Sequence, residues 1–234
     1  MKNNKVILLI GIILIGVIIL SYFTIKDNKI TDDEKNFAVE YENFNGKKSL
    51  TSGKKYMEVK IPEKNGVEYI SGEKVIEILR EGTGVVYFGF PECPWCRNMI
   101  VPLLEVMQEE GEKVYYYNAY SIRDDKDLDE NGNIVTYKEG TENYYKILEL
   151  LGDKADVYEG LNDDSIKRLY FPTVVFVKHG KVVDKHVSTV DSQKTPFKKL
   201  NNKQIKELKD IYRKNIKKMR NNSSAEICTG KESC

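Results

Sequence analysis

The hydrophobic pattern divides the chain into an apolar N-terminal segment and a longer region in which short strands alternate with amphipathic helices. Val6 to Ile25 is an almost unbroken apolar run, of about the twenty residues needed to span a bilayer. Lys2 and Lys5 precede this run, a charge distribution that favours a cytoplasmic N-terminus. No small-residue cleavage site or lipobox cysteine is evident. We therefore expect residues 1–25 to form a transmembrane signal anchor, with the rest of the chain outside the cytoplasm.

Residues 26–66 predict a tether followed by a β extension. Residues 26 to about 36 are charged and have no hydrophobic periodicity, which is typical of a linker. Apolar and polar residues then alternate at positions 37–41 and again at positions 56–61. We expect these two runs to pair as a small sheet ahead of the main domain.

The next part of the chain alternates helices and buried strands, which predicts an α/β fold. In order, the predicted elements are a helix capped by Ser71 and ended by Gly82, a strand at Val85–Phe88, a helix ended by Gly111, and a strand at Val114–Tyr117.

The segment from about residue 119 to residue 165 is predicted to be an insertion before the next strand. Its acidic run from Asp127 to Asn131, followed by Gly132, resembles the start of a calcium loop. The twelfth position is Lys138, where such a loop requires a bidentate glutamate. Asn131-Gly132 before alternating residues also predicts an ordinary hairpin turn, which we favour. A helix at about Thr141–Leu151 should follow.

The last third predicts a hairpin, a helix and a tail. Tyr170–Val177 reads as a buried strand, and His179-Gly180 marks the turn into an edge strand that carries His186. Asn201 or Asn202 can cap a final helix, whose apolar stripe is Ile205, Leu208, Ile211, Tyr212, Ile216 and Met219. Residues 221–234 predict a flexible tail.

Composition narrows the classes of function. The 234 residues carry a net charge of +1 and 41% hydrophobic residues, which suits one globular domain with appendages. Balanced charge argues against nucleic acid as the main partner. The four cysteines fall into two close pairs, Cys93 with Cys96 and Cys228 with Cys234, as expected of an oxidising compartment.

The pair Cys93-Pro94-Trp95-Cys96 lies where a buried strand ends and a helix begins. The free N–H groups and partial positive charge of a first helical turn stabilise a thiolate, so Cys93 is the expected nucleophile. Cys96 is within one turn and can resolve a mixed disulfide formed at Cys93. Half of a zinc site or a structural bridge are the alternatives, but neither His179 nor His186 has metal-ligand spacing from a cysteine. We expect redox use, with no metal and no cofactor.

This stretch resembles the active site of the thioredoxin superfamily, and Tyr170–Val177 is similar to that superfamily's cis-proline strand. The resemblance implies a thioredoxin-like fold over residues 67–220. It implies that the Phe171–Pro172 bond is cis, an isomer that proline permits at small cost. The substrate groove implied by the resemblance consists of Pro94, Trp95, Phe171, Pro172 and Thr173.

More narrowly, the run from Gly82 to Arg97 and the insertion after it resemble membrane-anchored bacteriocin transport accessory proteins with a thioredoxin-like domain. Three positions depart from ordinary thioredoxins. Tyr87 replaces their buried acid, Glu92 replaces the aromatic residue before the first cysteine, and Pro102 lies one position later than their helix proline. Proton transfer to Cys96 must then use water or another group.

These patterns lead to one expected function and one alternative. We expect a membrane-anchored, extracytoplasmic thiol–disulfide oxidoreductase that acts on protein or peptide thiols and disulfides. The sequence does not decide whether it reduces or oxidises its substrate. A membrane redox partner or a transporter is the expected further partner. The alternative is a non-catalytic accessory protein that binds a transporter or an exported peptide and has structural cysteines. Cys228 and Cys234 can form a structural disulfide, exchange with the first pair, or serve metal capture or intermolecular linkage.

Overall fold

The computed structural model describes residues 29–49 and 52–221, a mixed α/β arrangement with a five-stranded sheet and helices on both faces. The helices are α1 (Asp32–Glu42), α2 (Gly72–Glu81), α3 (Pro94–Glu110), α4 (Glu142–Leu151) and α5 (Asn202–Asn221). The strands are β1 (Val67–Tyr69), β2 (Gly84–Phe88), β3 (Val114–Tyr117), β4 (Asp125–Leu128), β5 (Ile134–Lys138), β6 (Asp156–Val157), β7 (Lys167–Arg168), β8 (Thr173–Lys178) and β9 (Lys181–Val187). A short 3-10 turn, Gly152–Lys154, follows α4.

The central sheet has the strand order β1-β3-β2-β8-β9. Strands β1 and β2 run parallel to β3, whereas β8 runs antiparallel to β2 and β9 antiparallel to β8. Phe88, the last residue of β2, pairs with Tyr117 on one side and with Thr173 on the other. The carboxyl ends of β2 and β3 and the first residue of β8 therefore meet at one edge of the sheet.

Each face of the sheet carries its own hydrophobic core. On one face α1, α3 and α5 cover Val85 and Tyr87, and on the other α2 and α4 cover Val86 and Phe88. All five residues of β2 are buried, as a strand covered on both faces requires. This burial accounts for the continuous apolar run that predicted the strand.

The predicted ends of several elements are confirmed. Ser71 caps α2, Gly82 ends it, and Gly111 ends α3 in the left-handed conformation with a φ of 68°. Asn201 caps α5 through its side chain, which accepts a hydrogen bond of 3.0 Å from the Gln204 N–H.

Both predicted hairpins are also present. Asn131-Gly132 joins β4 to β5, and the Asp129 carboxylate accepts hydrogen bonds from the N–H groups of Asn131 and Asn133 within that turn. In the turn between β8 and β9, Gly180 has a φ of 72°, and a Cβ added there would lie 1.9 Å from the Arg80 carbonyl oxygen. Only glycine fits so close to the end of α2.

The predicted β extension is wrong. Residues 32–42 form helix α1, and the region 52–61 contains no strand, only an isolated bridge between Lys48 and Lys55. Phe37 and Tyr41 are four residues apart, so they lie on one helical face and both are buried, while Val39 points away and is 59% exposed. The alternation at 37–41 fits both periods, and the cap at Thr31 decides for the helix. The predicted tether therefore extends no further than Thr31.

The buried carboxylate of Glu34 fastens α1 to the start of the sheet. It accepts hydrogen bonds from the N–H groups of Thr31 (2.8 Å), Asn65 (2.9 Å) and Gly66 (2.8 Å). Burial alone would raise the pKa of Glu34, but the hydrogen bonds from these three residues outweigh it and hold the pKa below its ordinary value of 4.5. The same side chain thus caps α1 and positions the residues before β1.

The predicted insertion, at about 119–165, contains the β4–β5 hairpin, helix α4 and strand β6, which pairs with β7 directly after it. Helix α4 packs against α2 and buries Tyr144, Ile147 and Leu151 in the second core. The hydroxyl of Tyr158 accepts a hydrogen bond of 2.7 Å from the Lys126 N–H, which holds the hairpin to the segment after α4. Helix α4 therefore completes a layer of the domain, and the hairpin projects from that layer.

Several predicted features lie outside the described residues, namely the anchor at residues 1–25 and the pair Cys228 and Cys234 in the tail. Within the parts of the chain that the structure describes, no helix is both long enough and apolar enough to cross a bilayer.

We expect Glu34→Ala to lower the free energy of unfolding by about 3 kcal/mol, because buried N–H groups lose a charged acceptor. Since the pKa of Glu34 lies below 4.5 in the folded protein, its contribution should be complete above about pH 4.5. It should then be lost as the pH falls through the folded pKa. Urea unfolding of both proteins across this pH range checks the prediction.

The control for this prediction is Asp32→Ala, on the exposed side of the same helical turn, which should lower the free energy of unfolding by less than about 1 kcal/mol. Equal losses in the two variants would contradict it.

Candidate active site

Cys93 is the N-cap residue of helix α3, directly after the turn that follows β2. Its Sγ accepts a hydrogen bond of 3.2 Å from the Cys96 N–H, one of the N–H groups that a helix leaves free in its first turn. Pro94 occupies the first helical position, where no N–H is needed and its fixed φ is already helical. The sequence thus folds so that negative charge on the Cys93 sulfur lies at the positive end of a helix.

The two cysteines differ in access to solvent. Both are free thiols; Cys93 is 5% exposed and Cys96 is fully buried. Burial raises the pKa of the Cys96 thiol well above its ordinary value, and hydrogen bonding and charge at Cys93 raise it further. An external disulfide can therefore be attacked by Cys93, while Cys96 is reached only from within the site.

The Phe171–Pro172 peptide bond is cis, as the resemblance implied. The loop that contains it faces Cys93, whose Sγ lies 3.7 Å from the Phe171 carbonyl oxygen. Pro172 is buried, whereas Phe171 is partly exposed. Phe171 and Pro172, far from the motif in the chain, are thus brought against it.

Thr173 has a different place from the one predicted. Its side chain is fully buried, so it cannot line a surface groove. Its hydroxyl instead donates a hydrogen bond of 2.7 Å to the Tyr170 carbonyl oxygen and so fixes the shape of the loop. Pro94 and Trp95 are half-buried at the start of α3 and remain available on the surface of the site.

An aromatic surface next to Cys93 was not predicted. Phe90 packs against Phe171 with ring centroids 5.5 Å apart and against Tyr120 at 4.4 Å. The Arg123 guanidinium lies 4.9 Å from the centre of the Phe171 ring. Tyr120 and Arg123 follow β3 as Phe90 follows β2, and parallel strands end at the same sheet edge. The common edge at which parallel strands end was therefore the signal that could have predicted this aromatic surface.

The buried guanidinium of Arg97 joins the segment before the sheet to helix α3. Although only 1% exposed, it donates hydrogen bonds to the carbonyl oxygens of Met57 (2.6 Å), Tyr41 (2.8 Å) and Pro91 (3.1 Å) and to the Asn45 side chain (2.6 Å). These acceptors satisfy a charge that would be costly to bury alone. Because Arg97 directly follows Cys96, the end of α1 is held at the site.

No three His, Cys, Asp or Glu side chains within residues 29–49 and 52–221 gather as a metal site would require. His186 lies on the edge strand β9 with its ring against Tyr212, and His179 lies in the β8–β9 turn. Among the described residues, the hydrogen-bond partners of the Cys93 sulfur are Cys96 and Phe171, and neither histidine is one of them.

No protein-family model matches the chain, and no curated protein shows significant similarity to it.

In the fully reduced protein we expect iodoacetamide to modify Cys93 at least about tenfold faster than Cys96 near neutral pH. The physical reason is that Cys96 is fully buried and its pKa is raised, so little of it is thiolate. Peptide mass spectrometry of timed samples measures the two rates separately. As a control, the difference between the two modification rates should disappear in denaturant, where both thiols are exposed to solvent. Faster modification of Cys96 in the folded protein would contradict the arrangement.

Proposed function

We propose that the chain is a thioredoxin-like thiol–disulfide oxidoreductase in which Cys93 is the nucleophile and Cys96 the resolving thiol. The single observation that supports this best is the environment of Cys93. Its sulfur accepts the Cys96 N–H at the start of α3 and faces the cis-proline loop, 3.7 Å from the Phe171 carbonyl oxygen. A structural disulfide needs neither the open helix terminus nor the loop.

Two steps account for reduction of a substrate disulfide. The Cys93 thiolate attacks one substrate sulfur, the substrate S–S bond breaks, and a mixed disulfide with Cys93 forms while the other substrate sulfur leaves as a thiolate. Cys96 then loses its proton to solvent and attacks the Cys93 sulfur, which releases the second substrate thiolate. The protein gains the Cys93–Cys96 disulfide and the substrate gains two electrons. Oxidation of a substrate is the reverse sequence, and the reduction potential of the pair decides the direction.

The proposed substrates are peptides or proteins in an extended conformation. The partly exposed ring of Phe171, together with Phe90 and Tyr120, offers aromatic surface beside the sulfur, and Tyr120 is 54% exposed. Apolar side chains that flank a substrate cysteine can pack there and lose contact with water. Arg123 adds a positive charge next to this surface.

The proposed location is extracytoplasmic and attached to the membrane. Residues 6–25 support this proposal through their length and apolar character, and the lysines before them support a cytoplasmic N-terminus. In that position the domain would meet exported proteins or peptides, and a membrane redox partner or a transporter would be within reach. The resemblance to bacteriocin transport accessory proteins agrees with such a place.

Cysteine variants test the activity. We expect Cys96→Ser to accumulate a mixed disulfide with a peptide disulfide substrate, because the resolving sulfur is missing, and Cys93→Ser to form none. Both changes belong in a background with Cys228→Ser and Cys234→Ser, so that the tail pair does not contribute. Mass spectrometry of acid-quenched samples identifies the conjugate and its position.

A conjugate formed equally by both variants, or by neither, would overturn the redox proposal. A double Cys93→Ser, Cys96→Ser protein with unchanged function in the cell would instead support the non-catalytic accessory alternative.

The aromatic surface predicts a second effect. Tyr120→Ser should raise the KM for a peptide disulfide about fivefold and leave kcat nearly unchanged, since Tyr120 contacts Phe90 but not the sulfur. Steady-state kinetics with a peptide carrying apolar residues beside its cysteines measures this. Tyr137→Ser, which removes an exposed tyrosine from the β4–β5 hairpin, is the control. Equal effects of the two changes, or a loss confined to kcat, would contradict substrate contact at Tyr120.

A further inference from the structure

Two buried tyrosine hydroxyls are hydrogen-bonded to each other in the core beneath the candidate active site. Tyr87 of β2 and Tyr41 of α1 are both fully buried, and their Oη atoms lie 2.7 Å apart. Either hydroxyl can donate in this bond. Two hydroxyls carry two protons and the bond uses one, so the pair retains one proton for a further acceptor.

The position of the Tyr87 hydroxyl indicates that this further acceptor is the sulfur of Cys96. A Cβ added at Gly89 would lie 2.1 Å from it, so the hydroxyl lies directly against the turn between β2 and the cysteines. Burial raises the pKa of Cys96, and hydrogen bonding from Tyr87 acts in the opposite direction and lowers it. Burial followed by charge at Cys96 raises the pKa of Tyr87 well above 10.0. Tyr87 therefore stays protonated and can serve as a donor, not as a base.

The second tyrosine is held in place by the active-site helix itself. Arg97 donates a hydrogen bond of 2.8 Å to the Tyr41 carbonyl oxygen. The Tyr41 ring packs against Phe37 of the same helix at 4.6 Å. Tyr41 thus has a fixed hydroxyl position relative to Cys96, which directly precedes Arg97.

A third buried tyrosine provides the contrast. Tyr212 of α5 is fully buried in the same hydrophobic core as Tyr87, and after burial the charge at Cys96 raises its pKa. Its hydroxyl nevertheless has no hydrogen-bond partner among the described residues. Tyr212 and Tyr87 are therefore both buried in one core, and they differ in the hydrogen bonding of their hydroxyls.

We propose that Tyr87, oriented by Tyr41, is a positioning residue that donates a hydrogen bond to the Cys96 thiolate during resolution of the mixed disulfide. In that step the Cys96 proton passes to solvent, the Cys96 sulfur bonds to the Cys93 sulfur, and the bond from Cys93 to the substrate sulfur breaks. The substrate leaves as a thiolate and takes a proton from solvent. Tyr87 keeps its own proton throughout, so no further reactant is needed. Only the kinetic consequence depends on the function proposed above.

The first test reads the protonation of Cys96 directly, whether or not the protein turns over a substrate. In full-length Cys93→Ser protein with labelled cysteines, carbon NMR follows the Cys96 Cβ shift against pH. We expect Tyr87→Phe to lower the thiolate fraction about tenfold at a given pH, the effect of one hydrogen bond to a charged group. Tyr212→Phe is the matched control and should change it less than about twofold. A titration unchanged by Tyr87→Phe, or shifted equally by both changes, overturns the proposal.

The second test follows both steps of the reaction in protein with Cys93 and Cys96 intact. With a chromogenic aromatic disulfide, Tyr87→Phe should slow the decay of the mixed disulfide about tenfold and leave its formation at Cys93 nearly unchanged. Slowing of formation alone overturns the proposal. If Tyr87→Phe does not fold, Tyr41→Phe replaces it in both tests. Loss of the orienting hydroxyl should then lower the thiolate fraction about threefold, and no change overturns the proposal.

Discussion

The pairing of Phe88 with two strands of opposite direction is the constraint on which the site depends. Parallel pairing with Tyr117 brings the end of β2 beside the end of β3, and antiparallel pairing with Thr173 brings it beside the start of β8. The cysteines after β2 and the proline loop before β8 can meet at this edge because both connections leave the sheet there. A slip of one residue in either pairing would turn buried side chains of β2 to the opposite core.

The segment before the sheet belongs to the site as much as to the fold. Helix α1 contributes the Tyr41 hydroxyl that bonds to Tyr87, and Arg97, the residue after Cys96, donates a hydrogen bond that holds the end of that helix. A guanidinium buried among carbonyl oxygens costs desolvation, which only a full set of acceptors offsets. The segment before the sheet and helix α3 therefore depend on each other. Trimming the chain at the start of β1 would remove the Arg97 acceptors on Tyr41, Asn45 and Met57 and leave only the Pro91 carbonyl oxygen. It would also remove Phe37 and so uncover Tyr116.

Much of the architecture follows from local rules. Caps at Ser71 and Gly111, the Asn131-Gly132 turn and the apolar run of β2 each depend on residues within a few positions, so the sequence alone predicts them. Helix α1 could not be separated from a strand on periodicity, because Phe37 and Tyr41 satisfy an alternating and a helical pattern equally. Its capping box, Thr31 with Glu34, was the signal that would have separated them.

The candidate site also has parts that local sequence predicts and parts that it does not. The cysteine motif and the proline loop are short and local, and they were predicted. Strand order and helix packing bring the ring of Tyr120 against Phe90 and the hydroxyl of Tyr41 against Tyr87, and no single segment of the sequence reveals these contacts. Thr173 was misplaced because adjacency in the chain to Pro172 does not reveal that its side chain turns into the core.

The two attachments of α1 respond differently to acid. At its beginning the helix is held by the Glu34 carboxylate, which can take up a proton; at its end it is held by the Arg97 guanidinium, which stays charged at any pH a protein meets. Acidification therefore weakens one end of α1 before the other. The contacts between the start of α1 and the residues before β1 would therefore loosen first, while the hydrogen bonds from Arg97 at the end of α1 would persist.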